Sequence, residues 1–162
     1  IYEEISRRAD ELSDKMTTMR RDFHKYAESG WLEMRTTSLI ARRLTDMGYK
    51  ELTLGRSVCR AEARMGLPTP EMLADGYARA QKQGADREFL PYTEGGFTGV
   101  IAELDCGPGP LVVLRFDIDA LGVEEASDDG HRPAREGVAS VNKGIMHACG
   151  HDAHASMLRG AA

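Results

Sequence analysis

The chain has 162 residues, long enough for one domain with a substantial core, and its 41% hydrophobic and 29% charged residues fit a folded globular protein rather than a disordered one. Its formal net charge of -5 argues against a nucleic-acid partner, which calls for a basic face. No apolar run approaches the ~20 residues of a membrane span and the N-terminus is polar, so neither a membrane partner nor a signal peptide is expected.

The arginine pairs Arg7-Arg8, Arg20-Arg21 and Arg42-Arg43 sit among acidic residues and read as solvated helix faces. Cys59, Cys106 and Cys149 are odd in number and unevenly spaced, which suits a reducing compartment and a cytoplasmic location. The chain opens on Ile1 and stops at Ala162 with no helix stop signal, so it reads as cut from a longer protein.

In chain order, Ile5, Ala9, Leu12, Met16, Met19 and Phe23 recur at spacings of three and four and predict a long amphipathic helix over 3–28, with this stripe as core. A second helix is expected from Thr37 to Met47, capped by Thr36 or Thr37 and stopped by Gly48, followed by a short strand from Glu51 to Leu54. Residues 55–96 change character and read as an insertion, within which Thr69 as cap and Pro70 at the first helical position predict a helix ending near Gly84. Gly95-Gly96 then introduces a strand, Phe97 to Leu104, and the turn Gly107-Pro108-Gly109-Pro110 leads to another, Leu111 to Phe116. The second of these is apolar on both faces except for Arg115, as in a strand covered on both sides. The fold class expected is α/β, a mixed sheet flanked by helices.

The chemistry concentrates after that strand. Asp117 and Asp119, two apart, project to one side of an extended chain, and the carboxyl ends of strands are where open α/β sheets bind ligands. The alternative is that they cap a loop or a helix. Further on, His147-Ala148-Cys149-Gly150-His151-Asp152-Ala153-His154 gathers three of the five histidines and one cysteine. Thiolate and imidazole are ligands that transition metals favour, so Cys149 and His151 are candidate metal ligands. An inert buried cysteine beside hydrogen-bonded histidines, or a Cys-His nucleophilic pair, are the other readings these residue types allow.

The order of these features resembles the metallo-amidohydrolase family that contains hippurate hydrolases, auxin-conjugate hydrolases and aminoacylases. The resemblance is carried by Phe23-His24-Lys25-Tyr26-Ala27-Glu28, by Thr98 to Leu104, by Leu114-Arg115-Phe116-Asp117-Ile118-Asp119-Ala120-Leu121 and by Gly144 to His154. Within the family, the expanded 55–96 segment, the Glu28 to Thr36 wording and the loop Ser127 to Pro133 resemble the aminobenzoyl-glutamate utilization branch, in its A-type form. Gly122 departs from the proline common at that position.

The resemblance implies an α/β catalytic domain of which residues 1–162 are an incomplete N-terminal part, the remainder and a lid or dimerisation domain lying beyond. It implies two divalent ions, manganese or zinc, with Cys149 and His151 as ligands, Asp119 as the catalytic carboxylate that orients a metal-bound histidine, and Asp117, Asp152 and His154 as substrate contacts or supports of the metal shell. The implied substrate is an N-acyl amino acid, first of all aminobenzoyl-glutamate, a step of folate catabolism. The implied assembly is a homodimer or a hetero-oligomer with a related second chain. A non-catalytic binding or structural fragment is the rival reading.

Overall fold

The computed structural model describes the backbone of residues 1–162 and every side chain except that of Arg159. In chain order the elements are α1 (Tyr2–Lys25), α2 (Met34–Asp46), β1 (Leu52–Leu54), α3 (Pro70–Lys82), β2 (Val100–Ala102), the short α4 (Arg132–Arg135) and α5 (His151–Ala161). The mixed α/β character is present, with helix outweighing strand. Two compact units form, Glu28–Arg115 and a second made of Ile1–Ala27 with Phe116–Ala162.

In the Glu28–Arg115 unit, α2 begins without a side-chain cap from its own N-terminal neighbour. The fully buried Glu28 carboxylate supplies one instead, accepting from Arg35 N at 3.0 Å and Thr36 N at 2.8 Å. These N–H groups belong to the first turn, where no intrahelical acceptor exists. The helix α3 follows its sequence signals: Thr69 Oγ1 accepts from Met72 N at 3.3 Å and Pro70 occupies the first turn. Its Gly76 and Ala80 faces pack with Leu32, Met34, Ala85 and Leu90 into the core of the unit, with Leu73 and Tyr77 alongside. The 55–96 segment therefore supplies much of that core.

The strands β1 and β2 pair antiparallel with Leu52 opposite Ala102 and Leu54 opposite Val100. The expected strand Leu111 to Phe116 does not form. Leu111, Val112, Val113 and Leu114 are 90, 75, 77 and 61% exposed and run without strand pairing. An apolar-on-both-faces strand is stable only with neighbours on its edges and layers on its faces, and among the described residues nothing supplies them.

Trp31 stands at φ 65, the left-handed region that a bulky side chain rarely occupies. Its indole Nε1 donates to Met65 O at 2.8 Å and the Arg64 guanidinium lies 5.6 Å from its ring centroid. Gly96 approaches so closely that a Cβ there would lie 2.9 Å from Trp31 O. These contacts hold a conformation that costs about 1–3 kcal/mol on its own.

In the other unit α1 packs along α5. The predicted core stripe of α1 is buried only in its C-terminal part: Met19 and Phe23 are buried, while Ile5 and Ala9 are exposed. Helix length explains this, since the 24 residues of α1 far outrun the 11 of α5 that cover it. Leu121 and Met146 form an isolated antiparallel bridge, Leu121 N to Met146 O at 3.0 Å and Met146 N to Leu121 O at 3.1 Å. This bridge brings the chain after Asp117 and Asp119 beside the chain that enters α5.

Candidate metal centre

Gly150, at φ 82, turns the chain into α5 immediately before His151, a left-handed conformation glycine adopts at little cost. His151 and His154 then lie three residues apart on one helical face. Their rings stack with centroids 5.1 Å apart and 25° between planes. One ligand-type atom each from Asp117, His151 and His154 lies within 4.8 Å of the others.

His151 Nδ1 is 2.9 Å from both the carbonyl oxygen and Oδ1 of Asp119. A carbonyl oxygen only accepts, so Nδ1 carries the proton and donates. The lone pair of the neutral ring is thereby placed on Nε2, the arrangement a metal-ligating histidine requires. Two imidazoles and one carboxylate are the nitrogen and oxygen donors that divalent zinc and manganese accept, so this group fits such an ion. Of the sequence candidates, Asp117, Asp119, His151 and His154 come together. The Cys149 thiol is free and exposed and lies outside the three-donor group. Asp152 is fully buried and faces the α1 side: its Oδ2 accepts from His24 Nδ1 at 2.9 Å and Arg20 Nε at 3.2 Å.

His147 is 6% exposed, and neither ring nitrogen has a hydrogen-bond partner among the described residues. Burial pushes its pKa down to about 4, which keeps the ring neutral. Sequence reasoning passed over His24, Glu125 and His131. Glu125 Oε1 meets His24 Nε2 at 2.9 Å and His131 Nε2 at 2.7 Å, and Oε2 accepts from Ser140 N at 2.5 Å. The only sequence signal for His24 was its place in a matching stretch, and isolated histidines at positions 24 and 131 have no spacing that announces a shared carboxylate.

The His24 pKa is raised, first by its hydrogen bond to Asp152, against burial and with Glu125 adding to it. Burial opposes ionisation of Asp152, yet the hydrogen bond from His24 and the charges of Arg20 and His24 hold its pKa below the ordinary value.

No family model matches the chain. Among curated proteins it is 52% identical to the indole-3-acetyl-aspartic acid hydrolase of Enterobacter agglomerans over 91% of this chain and 34% of that protein. It is 48% identical to the A-type chain of the p-aminobenzoyl-glutamate hydrolase of Escherichia coli (strain K12), over 96% of this chain and 36% of that one. The crystal structure of an aminobenzoyl-glutamate utilization protein from Klebsiella pneumoniae superposes with a TM-score of 0.71 at 51% identity, covering 73% of this chain and 30% of that chain. Over nearly its whole length the chain is a homologue of these hydrolases.

It spans about a third of the length of these curated relatives. The amidohydrolase relationship covers both units, since the aligned stretches take in nearly the whole chain. Among the described residues no helix is long and apolar enough to cross a membrane.

Proposed function

We propose that the full-length protein hydrolyses the amide bond of an N-acyl amino acid, with an aromatic acyl group and an acidic amino acid as the preferred class and aminobenzoyl-glutamate as the first substrate. The observation that carries this reading is the convergence of Asp117, His151 and His154 within 4.8 Å, with His151 oriented by Asp119. The substrate class is supported by two relatives whose names join an aromatic acyl group to aspartate or glutamate.

Two divalent ions, manganese or zinc, complete the site in this reading, with His151, Asp117 and His154 as donors and the Cys149 thiolate recruited from two residues before His151. A divalent ion held there supplies Lewis-acid polarisation of a carbonyl and a more acidic water. The protein's own contribution is to fix the His151 tautomer through Asp119 and to concentrate donors at the mouth of α5. Residues 1–162 form an incomplete catalytic domain, inactive in isolation, because they span only about a third of the relatives. A cytoplasmic oligomer, a homodimer or a pairing with a related second chain, is the expected assembly, in keeping with the Escherichia coli relative being one of the chains of its hydrolase.

The test is hydrolysis of p-aminobenzoyl-glutamate by the full-length protein before and after chelation. Activity lost to the chelator and restored by manganese or zinc is expected. Undiminished turnover by metal-stripped protein would sink the metal mechanism, and no turnover in any metal state would leave the binding-fragment reading.

A further inference from the structure

His24 lies in the last turn of α1, and each of its ring nitrogens faces a carboxylate oxygen: Nδ1 is 2.9 Å from Asp152 Oδ2 and Nε2 is 2.9 Å from Glu125 Oε1. Both carboxylates are already engaged as acceptors. Asp152 Oδ1 takes Ala153 N at 2.9 Å and Oδ2 also takes Arg20, while Glu125 takes His131 and Ser140. Acceptors on both sides leave His24 to donate from both nitrogens, which only the imidazolium can do.

Asp152 directly follows His151 in α5, and Asp152, Ala155 and Ser156 are the buried stripe of that helix. Successive helical residues are about 100° apart around the axis. Whatever fixes the direction of Asp152 therefore fixes the directions of His151 and His154. Burial of apolar surface alone does little to fix the roll of a helix, because the hydrophobic effect is non-directional. A charge-assisted hydrogen bond to a buried carboxylate is strongly directional.

We propose that His24 is a positioning residue for the candidate metal group: as a buried cationic bridge between Asp152 and Glu125, it sets the roll of α5 and so the direction in which His151 and His154 present their nitrogens. The charged and titratable groups facing it are Asp152 and Arg20, Glu125 and His131, and His147, whose ring centroid is 6.4 Å away. The proposal rests on the reading of Asp117, His151 and His154 as metal-binding.

Two measurements on the full-length protein test it. Nitrogen-15 NMR of the histidine rings should show both His24 nitrogens protonated at neutral pH, and a neutral His24 ring would overturn the proposal whatever the variants do. Chelator competition with zinc should show affinity about 10–100-fold weaker in His24→Leu than in the wild type. Affinity should partly recover in His24→Gln, whose amide can still donate to one carboxylate. Circular dichroism confirms that the variants compared are folded. Wild-type affinity in a folded His24→Leu overturns the positioning role alone. A wild-type protein that binds no zinc overturns the metal reading and this proposal with it, while leaving the ring signature intact.

Discussion

His151 Nδ1 donates to Asp119 through both its backbone carbonyl and its carboxylate, each at 2.9 Å. The doubled contact means that removing the Asp119 side chain leaves the tautomer in place but relaxes the ring. Asp119→Ala should weaken zinc binding by the full-length protein about tenfold, at the lower end of what loss of an outer partner costs. Asp119→Asn, which retains an acceptor oxygen, should cost less. Equal affinity across the three proteins would mean that Asp119 does not orient His151.

Alkylation of the cysteines offers an independent view of the candidate metal centre. Cys106 and Cys149 are both free and exposed, so both should react readily with iodoacetamide in metal-free protein. With manganese or zinc bound, Cys149 should be protected and Cys106 should not. Peptide mass spectrometry reads the two separately, and equal labelling of Cys149 in both states would remove it from the ligand set.

Glu28 reaches the first turn of α2 from outside the helix and satisfies two N–H groups at once. Glu28→Ala leaves both buried without an acceptor, and a loss of about 2–4 kcal/mol in urea unfolding is expected from two unsatisfied donors. Glu28→Gln keeps one accepting oxygen and should lose less. A change under about 0.5 kcal/mol in the alanine variant would show that water replaces the carboxylate.

How much of this could be read from the sequence depends on the range of the interactions. Thr69 and Pro70 announced α3 because a cap and the first turn are local chemistry. The closeness of His151 and His154 was equally legible, since they are neighbours in the chain, whereas Cys149, singled out beside them, lies outside the three-donor group. The Glu28 cap was not, because the acceptor lies outside the helix it serves, and the His24–Asp152 contact joins residues more than a hundred positions apart. The strand expected at Leu111 to Phe116 failed for a related reason: its apolar pattern states a need for partners without naming them.

The His24 bridge makes stability depend on pH in a stated direction. Its pKa is raised above 6.5 in the folded protein, so the folded form binds the proton more tightly than the unfolded chain. The stabilisation is fully present below about 6.5 and is lost as pH climbs through the raised value. In urea unfolding the stability gap between wild type and His24→Gln should therefore shrink from weakly acid to alkaline solution. A gap that does not change over that range would mean that folding leaves the proton affinity of His24 unaltered, and a gap that widens would mean that folding holds the ring neutral.

Gly96, at φ 77, has no room for a side chain: a Cβ would lie 2.8 Å from Leu73 Cδ2 and 2.9 Å from Trp31 O. Gly96→Ala meets both a disfavoured backbone and a backbone oxygen that cannot swing away, so a loss of about 2 kcal/mol or more is expected, seen as a lower melting temperature. An unchanged melting temperature would show that the Trp31 loop yields without cost.

Trp31 is the single tryptophan of the chain, and it is fastened by Met65 and Arg64 within the Glu28–Arg115 unit. Indole fluorescence is consequently a reporter of that unit. Red-shifted emission on unfolding signals release of the strained Trp31 loop and is blind to events around His151 and His154. A denaturation curve followed by emission and one followed by the histidine ring signals watch different parts of the molecule, and the separation between them measures how far the two units unfold together.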